Sequence, residues 1–270
     1  MNEITKDVAR GLVPIRPGDG HKGTFGHLYV IAGSRGFSGA AKLTCEAAMR
    51  SGVGLVTLGA PYPLGDVFAV CFKEVMSMRL PATKAETISH AALEHALAFA
   101  RDKSAALVGP GLSQHPDTAA FVADFVPQCG VPLVVDADGL NVLCDQVSLF
   151  GERRAATVLT PHPGEMARLL GISTEAVQAN RREAAVGLAR RTGCVVVLKG
   201  SGTVVATPNG ACGFNSSGNT GLATGGTGDV LAGLIGGLLA QGLAGYDAAR
   251  RGVYLHGLAG ELAAETWEER

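Results

Sequence analysis

No phosphate-binding loop of the GxxxxGK[ST] type occurs in this sequence, no CxxC pair joins its cysteines, and no apolar run is long enough to cross a bilayer. Charge of neither sign dominates. The 23 Lys and Arg stand against 24 Asp and Glu, so there is no basic face to suggest nucleic acid as a partner. The amino terminus, Met-Asn-Glu-Ile-Thr-Lys-Asp, lacks the basic and then apolar pattern of a signal peptide. Gly109-Pro-Gly111 lacks the third glycine and the downstream acid of a dinucleotide fingerprint. What is left is a cytoplasmic protein with small-molecule partners, free of nucleic acid and membrane. The six scattered cysteines read as reduced thiols, mostly buried.

What the chain has in excess is glycine. Its 38 glycines are about twice the usual roughly 7%, and they fall at junctions between apolar runs rather than in one low-complexity block. That placement favours tight, ligand-facing turns. Short apolar, β-branched runs alternate with helical patterns, the signature of βα units around a mostly parallel sheet. Strands are expected at 28–32, 55–58, 106–108, 133–135, 157–159 and 195–198, with 204–206 returning as a hairpin. Helices are expected at 40–51, 90–101, 116–126, 165–170 and 175–191. A further helix starts after Asp229, and 246–264 forms another. No linker or composition break divides the chain. The expectation is one α/β domain over residues 21–270, with residues 1–20 a leader packed on it or on a neighbouring subunit.

The segment from Asn215 to Asp229 runs straight into an apolar helix and resembles an anion site with a carboxylate at its mouth. Gly225, Gly226 and Gly228 permit positive φ, and the helix adds free N–H groups and its positive dipole end. Asp229 has two readings here, a helix N-cap or a group with chemistry to perform. Parallel sheets bind ligands beyond the carboxyl ends of their strands, and five strand ends carry suggestive residues. They are Gly33-Ser-Arg-Gly-Phe-Ser-Gly-Ala40, Gly109-Pro-Gly-Leu112, Asp136-Ala-Asp138, Thr160-Pro-His-Pro-Gly-Glu165 and Lys199-Gly-Ser-Gly-Thr203. His162 is either a lone structural histidine or a ligand contact held by Pro161 and Pro163, with Glu165 placed to hold hydrated Mg²⁺ through water. Lys199 either caps a strand or meets phosphate as a point charge. Asp138 is a helix cap first and a ligand contact second.

Taken in order, several motifs together resemble the ADP-dependent NAD(P)H-hydrate dehydratases of the ribokinase-like superfamily. They are Lys22-Gly-Thr-Phe-Gly26, Ser38-Gly-Ala-Ala41, Gly52-Val-Gly-Leu-Val56, Gly109-Pro-Gly-Leu112, Asp136-Ala-Asp-Gly-Leu-Asn141, the run from Leu159 to Gly171, Lys199-Gly200 and the run from Ala223 to Gly233. The resemblance covers nearly the whole chain from about Asp19. Ser113 departs from it, standing where the family usually has glycine. The resemblance implies a single-domain ribokinase-like fold and repair of the hydrates of NADH and NADPH. In that reaction ADP phosphorylates the C6 hydroxyl and phosphate is then eliminated. It implies catalytic roles for Asp229, Gly226, Thr227 and Gly228. Lys199, Gly200, Ser201, Gly202, Thr203 and Gly228 would bind the nucleotide. Ala40, Gly111, His162 and Asp229 would line the hydrate pocket, and Glu165 would associate with Mg²⁺ through water. As a carboxylate at a helix N-terminus, Asp229 is expected to have a low pKa. The resemblance further implies a homo-oligomer, with a tetramer in view, and a separate NAD(P)H-hydrate epimerase as functional partner, since the chain shows only the dehydratase part. The competing readings are a ribokinase-like kinase acting on a hydroxyethylthiazole or hydroxymethylpyrimidine, and a nucleotide-binding sensor without turnover.

Overall fold

Short runs such as Leu133-Val-Val and Val195-Val-Val-Leu are apolar on both faces, as strands covered by helices on each side must be. In the computed structural model, which describes residues 1–267, they build one ten-stranded sheet. Its strands are β1 (Asn2–Glu3), β2 (His27–Ile31), β3 (Leu55–Pro61), β4 (Met76–Leu80), β5 (Ala105–Val108), β6 (Leu133–Val135), β7 (Thr157–Leu159), β8 (Val195–Leu198), β9 (Thr203–Ala206) and β10 (Cys212–Asn215). The helices are α1 (Lys6–Gly11), α2 (Ser38–Arg50), α3 (Gly65–Cys71), α4 (Leu93–Ala100), α5 (Pro116–Gln128), α6 (Asp138–Asn141), α7 (Pro163–Leu170), α8 (Thr174–Ala179), α9 (Arg181–Thr192), α10 (Thr227–Ala240) and α11 (Gly245–Trp267). The strand order is β1-β10-β9-β8-β7-β6-β5-β2-β3-β4. From β4 through β8 all pairs are parallel, and β8-β9-β10 is an antiparallel meander whose outer strand takes β1 in parallel.

Two cores follow, one on each face. Tyr29, Phe121, Phe125 and Phe150 pack with α4, α5, α7 and α9 on one side. Leu28, Leu107 and Ile235 pack with α2, α3, α10 and α11 on the other. α10 lies unusually close to α2. A Cβ on Gly233 would stand 2.2 Å from the Thr44 carbonyl oxygen, and one on Gly237 2.1 Å from Ser51 Oγ.

Three strands were not expected. β1 has only two residues, and neither β4, Met-Ser-Met-Arg-Leu, nor β10, Cys-Gly-Phe-Asn, carries a β-branched residue. The helix expected at 175–191 is two, broken at Asn180 (φ −136°, ψ 54°). Residues 2–3 join the sheet, and the Arg251 guanidinium of α11 donates to the Ala9 carbonyl of α1. Residues 268–270 of the expected domain lie outside the described residues. Cys45, Cys129 and Cys194 are buried, Cys144 and Cys212 partly so, and Cys71 is exposed. Among the described residues no helix is long and apolar enough to cross a membrane.

Candidate functional site

All five strand-end stations meet along one rim, each tied to the next. The Gly33 N–H donates to the Pro110 carbonyl at 2.9 Å, so the turn after β2 sits on the turn after β5. Gly109 has φ +136°, and a Cβ there would fall 1.8 Å from the Asp136 carbonyl oxygen, so only glycine lets the β5 turn lie on the β6 turn. Thr160 Oγ1 donates to Asp136 Oδ1 at 2.7 Å, linking β7 to β6. The Lys199 N–H donates to the Pro161 carbonyl at 2.9 Å, linking β8 to β7.

Asp229 is the third residue of α10. The N-cap is Gly226, in the left-handed region at φ 93° and with no side chain to offer, so Asp229 does not cap the helix. Gly225 and Gly228 do not need positive φ, contrary to the sequence expectation, because Gly228 already lies inside the helix. What Gly228 provides is room: a Cβ on it would stand 3.3 Å from Lys199 Nζ. Thr227 Oγ1 donates to the carbonyls of Leu222 and Thr224 at 2.8 and 2.9 Å and folds the loop onto the helix start.

Beneath this loop lies a cluster of three carboxylates and one ammonium. Lys199 Nζ donates to Asp136 Oδ1 at 2.7 Å and stands 3.8 Å from Glu165 Oε2. Burial works against the Lys199 charge, but Asp136, Glu165 and Asp229 outweigh it and hold its pKa above the ordinary lysine value. Asp229 is pushed up to about 6, first by burial and then by the charge of Asp136, with Lys199 pulling the other way and Asp138 adding a little. The low pKa expected from the helix dipole is therefore overturned by burial and neighbouring carboxylates. Glu165 is raised by burial against the pull of Lys199.

A base must be ionised to accept a proton, and Asp229 is ionised only above about pH 6. Turnover that used Asp229 as its base would therefore have an acid limb centred near pH 6, falling as pH drops through it. Asp136, Asp138 and Lys199 act on Asp229 directly, and Glu165 and the partly buried His162 and His256 act on Lys199, so the limb belongs to the whole set. A kcat profile flat down to pH 4.5 would contradict this assignment.

His162 and Glu165 share a capping box at the start of α7. His162 Nδ1 accepts from the N–H groups of Gly164 and Glu165 at 3.0 and 3.3 Å, and Glu165 Oε2 accepts the His162 N–H at 2.7 Å. The histidine is neutral in this role, and burial, Lys199 and Arg168 lower its pKa. Its side chain is half exposed at the rim, with Nε2 3.5 Å from Glu165 Oε1. Gly111 packs on Ala40 and Phe37, bringing two of the expected hydrate-pocket residues together. Asp138, first residue of α6, accepts the Ser113 N–H at 2.9 Å. Ser113 itself holds the glycine-like φ of 74°.

A cleft of about 590 Å³ opens on one side of the cluster. Lys199, Gly200, Ser201, Gly202, Thr203, Thr227 and Gly228 line it, whereas Ala40, Gly111, His162, Glu165, Gly226 and Asp229 lie outside it. Its far wall runs from Asn215 to Thr220 and is fastened to α11. Asn215 Nδ2 donates to the Val253 carbonyl, the Gly218 N–H to Glu261 Oε1, and Asn219 Nδ2 to the Gly260 carbonyl. Leu231 and Val253 give it an apolar flank, and His256 also lines it. Sequence reasoning passed over His256, and it noted Asp136 within a strand ending without giving it a role. No motif flags the histidine, in a plain helical stretch, whereas Asp136 ends a strand and stood in view.

Among the described residues no group of three or more His, Cys, Asp or Glu side chains is arranged to hold a metal directly. The profile of the NAD(P)H-hydrate dehydratase family matches residues 28–268. A bifunctional NAD(P)H-hydrate repair enzyme from Moorella thermoacetica is 42% identical over 99% of this chain, which spans only 50% of that protein. The ADP-dependent (S)-NAD(P)H-hydrate dehydratase of Neisseria meningitidis serogroup B is 39% identical, over 93% of this chain and 81% of its own length. The crystal structure of the ADP/ATP-dependent NAD(P)H-hydrate dehydratase from Bacillus subtilis, co-crystallized with ATP/Mg²⁺, superposes with a TM-score of 0.84 at 33% identity. That match covers 98% of this chain and 90% of that one.

Proposed function

This chain belongs to the NAD(P)H-hydrate dehydratase family, with its ribokinase-like fold, and we propose that it dehydrates NADH and NADPH hydrates at the expense of ADP. The observation that carries this reading is the placement of Asp229 beside the Lys199–Thr203 cleft, at the end of a helix whose first N–H groups are open to an anion.

The hydroxyl at C6 of the hydrate is a poor leaving group. In the proposed reaction its oxygen attacks the terminal phosphorus of ADP, Asp229 takes the hydroxyl proton, and AMP departs. The phosphate ester then leaves C6 with the bonding electrons, helped by the ring nitrogen, and loss of the C5 proton restores the double bond. The N–H groups of Gly226, Thr227 and Gly228 face the migrating phosphoryl and stabilise its charge. A pKa near 6 lets Asp229 be ionised at neutral pH and still hold a proton better than an ordinary aspartate.

Three carboxylates around one ammonium leave the ionised cluster short of positive charge before any phosphate enters, so the residues fit a divalent cation. Mg²⁺ would neutralise phosphate charge there, held by phosphate oxygens and water, with Glu165 reaching it through water. A homo-oligomer, an epimerase acting on the same hydrates and a cytoplasmic setting belong to the same reading.

The direct test is incubation with ADP or ATP, with and without NADH hydrate, following dihydronicotinamide absorbance and phosphate release. No recovery with either nucleotide overturns the proposal. Phosphorylation of a hydroxyethylthiazole instead would establish the kinase reading.

His162 is expected to touch the hydrate. Because its ring also caps α7, replacement by alanine mixes two effects, the cap alone amounting to about 1 kcal/mol. His162→Asn keeps a capping oxygen. It should melt like the parent, raise the apparent KM for the hydrate several-fold and leave ADP binding unchanged. Loss of ADP affinity with an unaltered hydrate KM would place His162 on the nucleotide side.

A further inference from the structure

Asp136 is fully buried at the end of β6, with 1% of its surface exposed. Two donors, Thr160 Oγ1 and Lys199 Nζ, converge on its Oδ1, each at 2.7 Å, while Oδ2 has no hydrogen-bond partner among the described residues. The residue that follows, Ala137, sits at φ 49° and ψ −121°, a conformation that suits glycine. As a stabilising device this arrangement is poor. A buried ion pair gains little over apolar packing, an orphaned buried oxygen costs roughly 1–3 kcal/mol, and a strained turn costs about as much again. Such costs gathered at one residue beside a cleft point to a role in the site.

The lysine end of the pair shows that role. Lys199 is on a flexible four-carbon stem with several rotamers open to it. The bond to Asp136 selects the one that brings Nζ under the first turn of α10, within reach of Gly228 and in the lining of the cleft. An ammonium has three donors, and Asp136 uses one. The others remain for an anion.

We infer that Asp136 is a positioning residue for nucleotide phosphate: with Thr160 orienting it, it fixes the Lys199 ammonium at the phosphate end of the cleft. The inference rests on the reading of Lys199–Thr203 as the nucleotide site. It assigns Asp136 no contact with nucleotide or hydrate.

A double-mutant cycle read by calorimetry tests it, with ADP and adenosine as probes on the whole chain. Asp136→Asn should weaken ADP binding on the order of tenfold, the scale of a misplaced charged hydrogen bond, and leave adenosine, which has no phosphate, unchanged. In steady state the KM for ADP should rise while that for the hydrate stays put. Lys199→Met should also weaken ADP, and adding Asp136→Asn to it should weaken ADP no further. Additive losses, an equal loss for adenosine, or parental ADP affinity in Asp136→Asn would each overturn the proposal. If Asp136→Asn does not fold, Thr160→Val carries the test with a smaller loss of ADP affinity, and parental affinity there overturns it. A parent that binds no ADP would instead remove the nucleotide reading itself, a result distinct from normal parental binding with indifferent variants.

Discussion

Asp229→Asn should lose at least about a hundredfold in turnover, the scale expected when a general base is removed, and yet melt at or above the parent temperature at pH 8. The two effects have one cause. Burial and the charge of Asp136 raise the Asp229 pKa to about 6 in the folded chain, against about 3.9 for an unfolded aspartate. A carboxylate whose folded pKa is raised costs stability at any pH where the unfolded chain would ionise it. That cost is absent below about pH 4, grows as pH rises, and is fully present above about pH 6. Asn keeps the shape and removes the charge. The gain in melting temperature should therefore shrink as the pH is lowered from 8 to 5. A folded Asp229→Asn protein with near-normal turnover would exclude Asp229 from the mechanism.

Gly233→Val should destabilise the fold by about 3 kcal/mol or more, read as a shifted midpoint in urea with an unchanged slope. The neighbour that a Cβ would strike is the Thr44 carbonyl, 2.2 Å away, with Ala47 Cβ behind it at 3.1 Å. Backbone on one helix cannot rotate aside as a side chain can, so α10 would have to lift from α2. Because α10 carries Asp229 in its first turn, residual folded protein should also be slow. Gly187→Ala is the matched control. It sits in α9 with nothing within 4 Å of its Cβ and should stabilise by about 0.5–1 kcal/mol through helix propensity alone. Equal effects from the two substitutions would mean that the α2–α10 crossing tolerates a wider spacing.

The parallel strands were legible because burial on both faces writes a short run rich in β-branched residues and without charge, as at Thr157–Leu159 and Val195–Leu198. β4 and β10 were not. One lies on the sheet edge with Met76, Ser77 and Arg79 exposed, and the other is interrupted by Gly213. The rim residues were visible as strand endings, but the couplings between them were not. Nothing in the spacing of Asp136 and Lys199 says that they meet, since sheet order brings them together across β7. His162 shows the reverse problem. Its flanking prolines attracted a ligand reading, and the structure adds a capping box that the His-x-x-Glu spacing already contained. The charge state of Asp229 depended on burial, which local sequence does not report, so the dipole argument alone pointed the wrong way.

The pairing of β1 with β10 joins Asn2 to Gly213 and Glu3 to Phe214. The first of the described strands therefore pairs with the last. β2 through β8 can consolidate from neighbours as they appear, whereas β1 closes the largest loop in the sheet and gains only two residue pairs for it. Its docking is expected late, after the rim is in place. Changes at Asn2 or Glu3 should accordingly leave the refolding rate almost untouched and appear in how fast the finished sheet frays at that edge.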